Sequence, residues 1–456
     1  MEASAYFVLI LLIIGFTLQF LMYKTRFLLH PSFWFFVIWI SSITSFIIYL
    51  AAGMDFIVIY EDLILELFKY ISFTVVSLLF VSLLSFRKIR NYHVNWNPVF
   101  NIDHFKILTI IIFIFAASNF FLNGGFNLVK NRENAALVAR AISTGGSVSS
   151  IQMIFNLVTD LNVPMLIFSG YFICKEYVKN SYKISSLRIY YLLPFLTGLI
   201  RTLTVGGRAG MINTLLYMFL GFSLALFGFK TDISRVLRKL PLYGLMLFLL
   251  FSVYSTFVET ARERNQTQIV SLIESRWGNY PLLKPFAGIL QYMTDHIAGY
   301  QARRVDSTTP ELEMGQISLS GFTMFKLPIF SQLAGAPVSI QSTFNLIEPD
   351  YIKTHYELES SGATWIGATA TIYYLLYDDF GYKGTFIAIF ILVLISQLIF
   401  NRVFNHEKRS FLSILPITLI YYIWLTTIFS HTIVGNWLAS FLFSFIIVDI
   451  IGRVRS

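Results

Sequence analysis

The residues best suited to chemistry in this sequence are arginines beside glycine pairs. The clearest group is Gly206-Gly207-Arg208-Ala209-Gly210, which separates two apolar runs. The glycine pair ends one helix, and the next starts at Arg208 or just after it. A helix N-terminus concentrates unpaired backbone N–H groups and partial positive charge, so an acid is normally preferred there. An arginine in that place works against the dipole, while both together make a strong anion site. Arg201 lies seven residues earlier, inside the preceding apolar run. An arginine within a membrane span is costly and faces a cavity or a partner. The plainer readings are that Arg201 and Arg208 reach lipid headgroups, or that Arg201 pairs with Asp160 of the previous apolar run.

More arginines gather in two long polar stretches. The stretch 259–381 opens with Glu259-Thr260-Ala261-Arg262-Glu263-Arg264 and continues to Arg276 and Arg303-Arg304; the stretch 123–152 holds Lys130, Arg132 and Arg140. The guanidinium fork suits phosphate recognition in a way that lysine does not. The competing reading is ordinary i, i+4 pairing with Glu259 and Glu263 on a solvated helix. Asp295-His296 is an adjacent acid–histidine pair in the longer stretch, able to take a proton from a hydroxyl or to form a polar turn. Asp378-Asp379 precedes an apolar run, where the helix dipole alone accounts for two acids. Glu311-Leu-Glu313 and Glu357-Leu-Glu359 are weak divalent-metal pairs, and His431 lies in a short loop that faces the same side. Zinc spacing, a Walker loop, a nucleotide fingerprint and a Ser-His-Asp elbow are all lacking, so no cofactor is expected.

The elements that must position these residues are membrane helices. The chain has 456 residues, 56% hydrophobic and only 13% charged. A soluble domain carries about a quarter charged residues. Eleven apolar runs approach the roughly 20 residues that a spanning helix needs: 5–23, 33–52, 66–86, 105–122, 153–173, 189–205, 209–229, 241–258, 382–401, 411–429 and 436–452. The first run is long and is followed by Lys24 and Arg26, which reads as a span and not as a cleaved leader. The net charge of +9 comes from short basic clusters between runs, a topology signal that argues against nucleic acid as a partner. More than half of the 34 Lys and Arg fall in alternate loops around Lys24, Arg87, Lys175, Lys230, Arg402 and Arg453. The positive-inside rule then puts the N-terminus outside, the C-terminus inside, and 123–152 and 259–381 outside. The single cysteine, Cys174, excludes an internal disulfide. Short interfacial helices are expected within the long loop. The whole chain, 1–456, reads as one integral membrane domain.

These features resemble the O-antigen polymerase (Wzy-type) family, which polymerises lipid-linked oligosaccharide repeat units. The resemblance rests on the spans, on two enlarged outer loops with arginines, and on Gly207-Arg208-x-Gly210 opening a span. It rests also on Thr371-x-Tyr373 followed by Asp379-Phe380-Gly381-x-x-Gly384. The repeated arginine motifs of some members have no counterpart here, so donor and acceptor sites are not assigned loop by loop. The resemblance implies an all-α polytopic fold of the GT-C-like kind in the bacterial inner membrane, with the N-terminus and both loops periplasmic and the C-terminus cytoplasmic. It implies metal-independent, inverting transfer from polyprenyl-pyrophosphate-linked oligosaccharides, building O-antigen or capsule, with a separate co-polymerase setting chain length. In that chemistry Arg208, Arg262, Arg264 and Arg276 would bind pyrophosphate with help from Arg132 or Arg201. Glu259, Asp295 or His296 would be the base. An O-antigen ligase shares this plan. A transporter or flippase for lipid-linked saccharide is the alternative from another class, although the halves do not repeat as transporter halves commonly do.

Overall fold

In a computed structural model the described residues are 1–24, 27, 30–51, 60–85, 95–96, 102–127, 130, 134, 150–179, 188–205, 209–228, 371–404, 408–409, 411–425, 427 and 437–453. From the long loop they are 293, 294, 296, 297, 299–301 and 304. They are almost entirely helical. In chain order the helices are α1 (Glu2–Tyr23), α2 (Pro31–Ala51), α3 (Glu61–Ser85), α4 (Ile102–Asn123), α5 (Ser150–Asp160), α6 (Asn162–Lys179), α7 (Leu193–Val205), α8 (Ala209–Gly228), α9 (Ile372–Phe404), α10 (Leu415–Leu425) and α11 (Trp437–Arg453). Short 3₁₀ turns lead into α7 and α10. Among the described residues, six helical stretches are long and apolar enough to cross a membrane, and four shorter apolar helices accompany them. Each expected run but one coincides with a helix; the run 241–258 lies outside the described residues.

Two expected spans differ in detail. The run 153–173 is broken at Leu161, where its N–H donates back to Val158 O and separates α5 from α6. The helix expected from 382 begins at Ile372 and carries a break at Gly381, with φ 68° and ψ −177°. That conformation is essentially open to glycine alone. The break falls where the sequence placed the start of the span, and Asp378 and Asp379 sit just before it. Asp379 is fully buried there.

The helices assemble as two groups. In one, α1 packs on α2 and α3, α9 packs on α3, and α10 packs on α2; in the other, α4, α6, α7, α8 and α11 pack together. The closest pairing is α6 with α8. A β-carbon on Gly170 would overlap Met218 O, and one on Gly221 would overlap Ile167 O. The backbones touch because both positions are glycine, the usual means of close helix contact in lipid. Trp34 of α2 meets Phe219 of α8 edge-on at 5.6 Å and joins the groups.

Polar side chains lock the first group internally. His30 Nε2 lies 2.9 Å from Gln397 Oε1, and Nδ1 lies 2.5 Å from Ser32 Oγ. Ser32 in turn donates to Gln19, whose amide reaches Ser82 at 3.1 Å. Trp39 donates to Thr427 at 3.0 Å, and Trp424 to Ser396 at 2.8 Å. Large apolar side chains face outward instead, including Phe7, Leu21, Leu83, Leu84, Phe121, Ile387 and Leu398. Such a surface suits lipid and not water.

Two sets of contacts join connecting segments. Asn95 and Trp96 pair in parallel with Lys408 and Arg409, joining two of the basic loops. At the other end the N-terminal ammonium lies 2.5 Å from Glu61, and Tyr60 N donates to Gln301 of the long loop at 2.7 Å.

Candidate functional site

A cavity of about 220 Å³ opens where α5, α6, α7, α8, α10 and α11 meet. The helix break at Leu161 puts Asp160 at its rim and Asn162 inside it, where Asn162 Nδ2 donates to Pro194 O at 2.9 Å. Opposite, Arg201 of α7 forms an ion pair with Asp160 through Nη2, and its Nη1 reaches Thr159 O at 3.5 Å. The alternative in which Arg201 is held by Asp160 is therefore the observed one, and the pair also lines the cavity. Arg201 stays 41% exposed, so it keeps donors for a further partner.

The wall between α7 and α8 depends on small residues. A β-carbon on Gly198 would stand 2.5 Å from Thr214 Oγ1, and one on Gly210 would stand 2.8 Å from Thr202 Oγ1. Each glycine makes room for the threonine opposite, which brings Thr202, Thr214 and Asn213 to the cavity. Gly210 is the last residue of the glycine–arginine motif, of which Gly206, Gly207 and Arg208 lie outside the described residues. Tyr217 and Tyr422 stack across α8 and α10, with centroids 6.1 Å apart and planes at 6°. Asn213 donates to the Tyr422 hydroxyl at 3.3 Å. The Tyr217 hydroxyl is buried without a hydrogen-bond partner among the described residues. Charge on the described lining is confined to the Asp160–Arg201 pair.

A second polar cluster anchors the long loop. The described residues of 293–304 are helical and pack on α2 and α3. Ser42 donates to Met293 O at 2.7 Å. Arg304 binds Glu66 of α3, stacks over the Tyr377 ring 3.5 Å from its centroid, and shares Glu66 with the Tyr300 hydroxyl. Burial, together with the Glu66 charge and hydrogen bond, holds the Tyr300 phenol far above its ordinary pKa. Burial draws the Arg304 guanidinium down, but its hydrogen bond and charge contact with Glu66 prevail, so its pKa is raised. Arg304 is thus a cross-element tie and not a member of a solvated i, i+4 pair.

Of the residues singled out in the sequence, Arg201 lines the cavity, whereas His296 is buried, at 1% exposure, in the helical part of the long loop and is not among the lining residues. Arg132, Arg208, Glu259, Arg262, Arg264, Arg276 and Asp295 lie outside the described residues, as do His431 and the two Glu-Leu-Glu pairs. Sequence reasoning missed Glu66, Asn213, Tyr217 and Tyr422. The signal for Asn213, Thr214 and Tyr217 was available, since Tyr217 follows Asn213 by four residues and Thr214 by three, the spacings that make helix-surface neighbours. No grouping of three metal-ligating His, Cys, Asp or Glu residues occurs among the described residues.

The arrangement defines a helical protein of membrane-spanning character with a small cavity that sets a few polar groups in a largely apolar lining. No family model, curated protein or solved structure matches the chain.

Proposed function

We propose that the chain polymerises polyprenyl-pyrophosphate-linked oligosaccharide repeat units into a surface polysaccharide at the outer face of a bacterial inner membrane. The observation that carries the reading is the cavity itself. It sets hydroxyl and amide groups in a largely apolar lining, is bordered by Arg201, and is lined by Gly210, the last residue of the Gly207-Arg208-x-Gly210 motif, within helices whose outward faces are apolar. A lipid-linked donor needs such a place, because its tail stays in lipid while its headgroup reacts beside the helix ends. In this reading the chain has eleven spans in a GT-C-like arrangement, with its N-terminus and its two long loops periplasmic.

The reaction needs charge stabilisation more than covalent help. As the bond from the anomeric carbon to pyrophosphate breaks, negative charge grows on the leaving group, and preorganised arginines stabilise charge where it develops. Arg208, Arg262, Arg264 and Arg276 supply that, with Arg132 assisting. The incoming hydroxyl loses its proton to Glu259 or Asp295 as its oxygen bonds to the anomeric carbon. The loop 259–381 covers the site and excludes water that would hydrolyse the donor. Arg304 and Glu66 moor that cover to α3. A separate co-polymerase sets the chain length.

The test is purified full-length chain in liposomes with lipid-linked repeat units. A product ladder is expected, lost in Arg208→Ala and not restored by Arg208→Lys, because lysine lacks the planar fork. A single transfer to lipid A in place of a ladder would make the protein a ligase. Translocation without new glycosidic bonds would make it a transporter.

A further inference from the structure

We propose that the cavity beside Asp160 and Arg201 is a subsite for one uncharged sugar ring, hydrogen-bonded by the Tyr217 hydroxyl. Three observations point to a ligand of that kind. Tyr217 is 3% exposed and lines the cavity, and its hydroxyl has no hydrogen-bond partner among the described residues. A buried hydroxyl without a partner costs stability that phenylalanine would not, unless something in the cavity pairs with it. The remaining polar lining, Asn162, Thr202, Asn213, Thr214 and Tyr422, is uncharged and offers both donors and acceptors. The volume of about 220 Å³ falls below the roughly 300–1,000 Å³ of drug-sized pockets, so it accommodates one ring and not a chain of them.

Charge excludes the other ligand classes. An anion seated here would meet the Asp160 carboxylate, and a cation would meet Arg201, because each holds the other at the rim. A purely apolar ligand would leave the Tyr217 hydroxyl unpaired. A ring carrying several hydroxyls satisfies both the hydroxyl and amide groups, and its C–H face suits the tyrosine rings. The choice of a sugar among neutral polyols rests on the glycosyl-transfer reading above. It assigns Arg201 to positioning Asp160 at the sugar, leaving pyrophosphate to the arginines of the loops and of the glycine–arginine turn.

The experiment uses full-length chain in lipid nanodiscs and a panel of methyl glycosides of glucose, galactose, mannose and N-acetylglucosamine, read by saturation-transfer NMR. At least one glycoside is expected to bind, with affinity reduced roughly tenfold in Tyr217→Phe, the loss of about one hydrogen bond. Asn213→Ala is expected to weaken binding as well. Tyr421→Phe, which removes a buried hydroxyl outside the cavity, is expected to bind like the parent. If no glycoside binds, or if Tyr217→Phe and Asn213→Ala both bind as the parent does, the cavity holds only water and the proposal is wrong. The two readings fail separately. Glycoside binding through Tyr217 without a product ladder sinks the polymerase and keeps the subsite, whereas a full ladder from parent chain that binds no glycoside sinks the subsite alone.

Discussion

The guanidinium of Arg304 grips both carboxylate oxygens of Glu66, with Nε 2.8 Å from Oε1 and Nη2 3.2 Å from Oε2. The two residues come from opposite kinds of segment, one from the long polar loop and one from the first turns of an apolar helix. Their side chains are only 10% and 15% exposed. A loop that reaches the bundle through a bidentate, largely buried pair is fastened at a defined point.

Removing either partner leaves a charge without its match. Arg304→Ala or Glu66→Ala is expected to cost about 2–4 kcal/mol, somewhat below the range for fully buried pairs. The double substitution should cost little more than either single one, which a double-mutant cycle in detergent would read. Arg304→Lys should not restore stability, because the stacked contact with Tyr377 and the fork geometry are both lost. Faster proteolysis within 259–381 in the single variants would report release of the cover; unchanged digestion would show that the pair does not moor it.

The pair at the cavity behaves differently. Arg201 is more than a third exposed, so solvent screens it, and Arg201→Ala should change stability by about 1 kcal/mol or less. Product formation should fall far more than stability does, by about tenfold or more, and Asp160→Asn should show the same split. A variant that melts early while its ladder is intact would make this pair structural.

The crossing of α6 and α8 tolerates no added atom. Gly170→Ala and Gly221→Ala each drive a methyl into backbone carbonyl and should lower stability by more than the roughly 1–3 kcal/mol of ordinary overpacking. Gly15→Ala is the informative comparison, because its added carbon meets side chains of Val75 and Phe36 that can turn aside. Thermal melts of the three variants should rank Gly15→Ala as the mildest.

Gly381 is constrained by its own backbone. Any side chain there should cost about 1–3 kcal/mol, even alanine, because φ is 68° with ψ near 180°. A Gly381→Ala chain with the parent's melting temperature would show that the break is absent in solution.

Much of the helical framework was legible because apolar length is a one-dimensional signal. The runs that became α1 to α4 and α8 could be read almost to their ends. The break at Leu161 was missed although Pro164 signals it: proline has no N–H to donate to the carbonyl of Asp160, and the side chains of Asp160 and Asn162 find partners on α7. The early start of α9 was hidden because Asp378 and Asp379 look like caps, whereas Asp379 is buried in a helix that breaks just beyond it, at Gly381. For the candidate site, Arg201 and its pairing with Asp160 could be anticipated from the cost of a charge in lipid. Glu66 was invisible as a partner because its match lies 238 residues away, and nothing in one sequence measures that approach. Tyr422 was invisible for a related reason: in an aromatic-rich chain, a tyrosine facing a cavity looks like one facing lipid.

The His30–Gln397 contact also constrains how the molecule is made. Its partners are 367 residues apart, so the early helices emerge from the ribosome long before α9 exists. At roughly 5–20 residues per second that interval is some tens of seconds. Throughout it, the imidazole and the amide of Gln19 stand at the edge of nascent helices without the neighbour that completes their network. The early helices must therefore be sheltered from the hydrocarbon by insertion machinery, or by one another, until α9 arrives. Biogenesis of this protein is a process that finishes at its end, with α9 as the closing piece.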